Sequence, residues 1–221
     1  MNQRDRAFYW QFVVLNVERG SQRQEIATAR QFFTTHFAPL ALSDTAITRQ
    51  LYHTWQTDPE QPQPSAAELC LRCYISNHIA QACWQLAERF GKAYGFGSRD
   101  LLPLVLTDVA LTTSLRPLVE AESEQRDRCH VPLAAEILRT YEPERGSLSA
   151  WISRLVGQHR ELNDCLLSYG VYLISDWAIL NDTPPHRLTT ILALSAAEVE
   201  SDQALLSSYH AVYRRDRSQP G

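Results

Sequence analysis

Along most of this chain the apolar residues recur with the period of a helix. The clearest run places Leu148, Trp151, Ile152, Leu155, His159, Leu162 and Leu166 on one stripe, the i, i+3/i+4 spacing of a single helical face held for roughly five turns. The residues in front of it predict a sharp corner between two helices. Pro143 has no N–H and cannot continue a helix, Gly146 is free of Cβ restrictions, and Ser147 is a good N-cap. Gly170 stands where the stripe ends, the place of a C-terminal cap.

A second stripe predicts a helix over 66–90. Leu71, Ile75, Ile79, Ala82, Leu86 and Phe90 form its centre, and Leu69, Cys73, Ala80, Cys83 and Ala87 widen it. So broad an apolar face belongs to a central, buried helix. Ser65-Ala66-Ala67-Glu68 has the form of a capping box at its start. Gly91, Gly95 and Gly97 end it. Ser98 then opens a helix expected over 99–118, with Pro103 in its first turn. A short helix is expected over 132–141, leading into the corner. Residues 1–55 read as two or three helices, with Phe32, Phe33, Phe37, Leu40 and Leu42 as apolar positions. After Gly170 the pattern predicts a short helix ending at Leu180, then one capped by Thr183 that carries Leu188, Ile191 and Leu192. A second capping box, Ser195-Ala196-Ala197-Glu198, starts a last helix through Tyr213. Strand-like alternation is scarce, so the expected fold is all-α: a multi-helix bundle with no extended sheet.

Residues 56–64 hold three prolines and almost nothing apolar, which marks a boundary. The expected organisation is an N-terminal helical segment over 1–60, a helical domain over 65–170, and a C-terminal helical extension over 171–221 that packs on it. A chain of 221 residues with 44% hydrophobic and 21% charged residues can bury a substantial core. No apolar run approaches the ~20 residues of a membrane span, and the bulky aromatics near the N-terminus do not form a signal peptide. Five cysteines in a chain this large suit a reducing compartment, so a cytoplasmic location is expected.

Charge changes the picture next. Twenty of the 21 basic residues are arginine, Lys92 being the exception, yet the net charge is -4. Arginine favours planar carboxylate or phosphate partners, so a nucleic-acid role would need a local Arg-bearing face. Candidate chemistry is sparse. Cys70, Cys73 and Cys83 lie on the broad helix without a second pair at zinc spacing, which reads as core packing, with a thiol or metal sensor as the alternative. Lys92 is followed by Ala93, so no phosphate-binding loop forms, and the hydrolase and metalloprotease motifs are missing. His159 and Glu161, two apart on a helix, point to different faces. The basic tip over 213–217 reads as a solvated helix end. No enzyme activity and no cofactor are expected.

Three segments in order carry a resemblance. They are Leu86-Ala87-Glu88-Arg89-Phe90-Gly91-Lys92-Ala93-Tyr94-Gly95 with Asp100-Leu101-Leu102, then Tyr141-Glu142-Pro143-Glu144-Arg145-Gly146, then Trp151-Ile152-Ser153-Arg154. Together, over roughly 65–170, they resemble the second conserved region of bacterial RNA polymerase sigma factors. There a helix ends in a Gly-containing turn before an Asp-Leu motif, and an aromatic-Asp-Pro-x-Arg-Gly corner precedes a helix with an aromatic and a basic residue. The resemblance implies that Asp100 and Leu101 contact the clamp of the polymerase core, and that Trp151, Arg154 and Arg160 face promoter DNA. It also implies a non-enzymatic role in directing or modulating initiation. Trp151 lies on the apolar stripe, so a core position is an equal expectation for it.

The rival expectation is an all-helical regulatory or adaptor protein that binds another protein without touching DNA. The net charge of -4, the acidic run over 120–127 and the lack of a second DNA-reading helix-turn-helix favour it.

Overall fold

The computed structural model describes residues 6–16, 20–37, 42–58, 61–121, 131–173, 184 and 196–217. The chain divides into two compact units, Met1–Tyr172 and Leu173–Gly221. The division falls after Tyr172, not in the proline-bearing stretch, where the Pro62 carbonyl accepts the Ser114 N–H at 3.1 Å. The expected helices around Leu180 and Leu188, and Ser195 of the second capping box, lie outside the described residues. In the second unit the described helix is Ala196–Arg217.

The first unit is built on one helix. A 3-10 turn (Ala7–Tyr9) leads into strands β1 (Gln11–Asn16) and β2 (Gly20–Glu25), then helices α1 (Ala27–His36), α2 (Asp44–Thr57) and α3 (Ala66–Leu86). There follow α4 (Ser98–Val105), α5 (Arg116–Glu120), α6 (Leu133–Thr140), α7 (Leu148–Gln158) and α8 (Arg160–Ser168). The helix of the second unit is α9. Helix α3 touches β1, α1, α2, α4, α6 and α7. Its apolar residues therefore meet neighbours on every side, and Cys70, Leu71, Cys73, Ile75, Ala80 and Cys83 have no exposed surface.

The architecture is mostly helical, and among the described residues of the first 55 two helices stand where two or three are expected, preceded by a hairpin that is not expected. β1 and β2 pair antiparallel from Gln11–Glu25 to Asn16–Gly20. A two-stranded hairpin alone is marginal, and α3 completes this one. Ser76 Oγ accepts the Val13 N–H at 3.1 Å, and Asn77 Nδ2 donates to the Gln11 carbonyl, so side chains of α3 partner two of the groups on the edge of β1 that β2 leaves open.

Five local expectations are also corrected. The helix expected over 99–118 is two short ones, α4 and α5, joined by irregular backbone over 106–115. Pro103 sits in the second turn of α4, exposed, where its missing N–H forfeits one helical bond, and the helix ends at Val105. Gly97 is the N-cap of α4, with the Asp100 carboxylate accepting its N–H at 2.8 Å. Only half of the capping box at Ser65 forms: Ser65 Oγ accepts the Glu68 N–H, but the Glu68 carboxylate turns away into the core. Finally, the five-turn helix is α7 and α8, broken at His159, whose ψ of 123° is extended. Gly157 weakens the last turn of α7. His159 Nδ1 then caps α8 by accepting the Leu162 N–H at 3.4 Å. The stripe survives the break, because Leu162 and Leu166 are both fully buried.

Candidate functional site

The corner forms from the residues that predict it. Glu142 is extended, Pro143–Arg145 make one 3-10 turn, and Gly146 takes φ of 155°, a region that side chains disfavour. Ser147 Oγ then accepts the Ala150 N–H at 3.3 Å and α7 begins. The outside of the turn is braced by α2. Arg49 donates to the Pro143 carbonyl at 2.7 Å, and Tyr52 OH donates to the Leu138 carbonyl at 3.0 Å. Tyr141 meets the Tyr52 ring edge-on at 5.1 Å, and burial raises the pKa of both phenols. Helices α6 and α7 contact each other and both contact α3.

Of the residues expected to face DNA, Trp151 is buried. Its Nε1 donates to Thr140 Oγ1 at 3.1 Å, and the Arg154 guanidinium lies 3.8 Å over its ring. Trp151 thus fastens α7 to α6, with Arg154, which is exposed, covering its outer face. Arg160 stands on α8, the separate helix created by the break at His159. Its side chain is 93% exposed and reaches Asp164 at only 3.7 Å, a pair of little energetic weight. The structure brings Trp151 and Arg154 together and leaves Arg160 on a different element.

Asp100 and Leu101, expected at the polymerase, diverge. Asp100 is exposed and caps its own helix, whereas Leu101 has no exposed surface and points into the core. α4 packs on both α3 and α8. The Cys165 thiol of α8 has its pKa raised by burial and by the Asp100 carboxylate.

The cysteines of α3 are core residues. Cys70 Sγ donates to the Ala29 carbonyl at 3.4 Å, and burial pushes the Cys73 and Cys83 thiols up to about 12. Thiols so protonated are poor nucleophiles and poor metal ligands. No group of three or more His, Cys, Asp or Glu side chains fit to hold a metal exists among the described residues, and Cys129 lies outside them. Among the described residues, no helix is long and apolar enough to cross a membrane.

Two polar clusters escape sequence reasoning. In one, the fully buried Arg72 donates to Asp108 at 3.1 Å and to the carbonyls of Thr113 and Val109 at 2.9 and 2.7 Å. Beside it Glu68 accepts the Ser114 hydroxyl and the Leu115 N–H, both at 2.7 Å. Burial raises the Asp108 pKa, and Arg72 opposes that rise. The cluster ties the irregular segment after α4 to the central helix. The only sequence signal was Glu68 and Arg72 four apart on one face. In the other, Tyr9, Asp44, Tyr74 and His78 meet beside an open cavity. Asp44 gave no sequence signal beyond its place in the first turn of a helix.

No protein-family model matches the chain, and no curated protein or solved structure matches it.

Proposed function

We propose that this chain is a sigma-factor-like transcription protein that binds RNA polymerase core and presents Arg-bearing surface to promoter DNA. One observation carries the reading. Helix α4, which opens on Asp100-Leu101, and helix α7, launched by the Pro143–Gly146 corner, pack on the same central helix, α3. Segments far apart in sequence, named by one resemblance, therefore form one body.

Burial refines the roles within this proposal. Leu101 anchors α4, so docking falls to its exposed side at Asp100. Trp151 anchors α7, so contact with DNA falls to Arg154 and Arg160, which suit phosphate oxygens and give little sequence discrimination. A second reading, the helical adaptor that never meets DNA, is favoured by the Arg154 guanidinium lying over the ring that would otherwise stack a base.

Co-purification with core polymerase tests the first reading. Parent protein is retained, and Asp100→Asn, which preserves the cap on Gly97, is retained at least about tenfold less. Failure of the parent to bind core, or an Asp100→Asn variant indistinguishable from it, removes the proposal. A filter-binding titration against duplex DNA separates the two readings. The first expects affinity to fall with salt, Arg154→Ala and Arg160→Ala each lowering the slope by about one. The adaptor expects no binding.

A further inference from the structure

A cavity of about 520 Å3 opens between the start of α2 and the middle of α3, lined by Phe8, Ser43, Asp44, Tyr74, His78 and Gln81. Its volume is that of a small-molecule site, typically ~300–1,000 Å3. The lining combines one carboxylate with aromatic rings. Tyr9 OH donates to Asp44 Oδ1 at 2.6 Å, and Tyr74 OH donates to Oδ2 at 2.5 Å. Each oxygen is thereby fixed in place while keeping a further lone pair. The His78 ring lies 4.3 Å from that of Tyr74 and meets Phe8 edge-on at 5.6 Å.

This chemistry discriminates among ligands. Asp44 stands in the first turn of α2, so its charge answers the positive pole of the helix, and the Ser43 hydroxyl accepts the Ala46 N–H at 3.2 Å. An anion would meet a carboxylate at a pole already answered. A cation meets the carboxylate directly and the faces of electron-rich rings around it. Phe8 already accepts one cation within the chain, the Arg23 guanidinium at 5.0 Å from its centroid. Aromatic walls with a single acidic counter-charge are the recognition chemistry of organic ammonium groups.

We propose that this cavity binds a small organic ammonium compound, its charged head against Asp44 and its alkyl groups against Phe8, Tyr74 and His78. The site is independent of the transcription reading, since none of these residues belongs to the corner, to α4 or to α7.

Isothermal titration of the full chain with choline chloride, with sodium chloride at matched ionic strength as the blank, tests it. The neutral isostere 3,3-dimethylbutan-1-ol is titrated in parallel. Saturable choline binding in the millimolar range or tighter is expected, with the neutral isostere at least about tenfold weaker. Asp44→Asn weakens choline by about tenfold or more. Because that change also disturbs two phenol hydrogen bonds, Phe8→Leu is the second variant. It keeps apolar volume, removes the ring, and weakens choline by about three- to tenfold without changing binding of the isostere. No saturable binding of choline overturns the proposal. So does equal binding of the neutral isostere, which would make the cavity a plain apolar one, or a Phe8→Leu variant that binds choline as the parent does.

Discussion

Arg72 shows how a single side chain holds an irregular segment in place. Its guanidinium has no exposed surface, and it spends its donors on Asp108, Val109 and Thr113, with Glu68 at 3.8 Å. A buried ion cluster adds little net stability over apolar packing, but removing one member strands the others. Arg72→Leu leaves Glu68 and Asp108 uncompensated, so the expected loss is about 3–5 kcal/mol, read as a drop in the urea midpoint. A change near zero would mean that water reaches both carboxylates. The glutamate and arginine stand four apart on one helical face, a spacing the sequence does show. Their partners were not legible, because the stretch from Leu106 to Leu115 has no periodicity, and hydrogen bonds to backbone carbonyls leave no mark on residue type.

At the level of elements, the π-helical turn after α3 depends on a missing side chain. Residues Ala87–Gly91 form that turn, and the Gly91 carbonyl accepts the N–H groups of both Gly95 and Phe96 at 2.8 and 3.2 Å. A Cβ on Gly91 would collide with the Phe96 carbonyl oxygen, which is backbone and cannot swing aside. Gly91→Ala therefore costs about 2 kcal/mol, measured by thermal or denaturant melting; Gly95→Ala, at φ of 79° with nothing near its Cβ, isolates the conformational strain alone. Element boundaries were legible where a cap or a proline acts locally, as at Ser147, Ser65 and Pro143. They were hidden where two elements share one apolar stripe, as across His159. β2 was hidden for a different reason. Its residues Gly20–Glu25 are polar and never buried, so no alternation exists to be read.

For the whole molecule, buried weak acids set an alkaline limit. Burial pushes Cys73 and Cys83 from 9.0 up to about 12, and burial with the Asp44 hydrogen bonds pushes Tyr9 and Tyr74 well above their ordinary value. Each group holds its proton more tightly folded than unfolded. Its contribution to stability is therefore complete below the unfolded pKa and is lost as pH rises toward the folded one. The urea midpoint should fall steadily between about pH 9 and pH 12, and Cys83→Ala should flatten its share of that fall. A midpoint unchanged over that range would contradict the burial of these groups. Five arginine-to-backbone or arginine-to-ring contacts described above also show why the arginine-rich composition is a poor guide to DNA binding. Arg72 is fully buried, and Arg23, Arg49 and Arg154, though exposed, each lie against a ring or a carbonyl of the same unit.

The pairing of β1 with side chains of α3 has a consequence for how the first unit assembles. A slip of one residue in the hairpin would move the Gln11 carbonyl and the Val13 amide away from Asn77 and Ser76, so that both strand groups lose the side chains that meet them. Only the native alignment satisfies them, and only once the helix stands. The ribbon at the front of the chain is thus proofread by a helix made some sixty residues later, so an N-terminal fragment that stops short of Ser76 has nothing to choose its register for it.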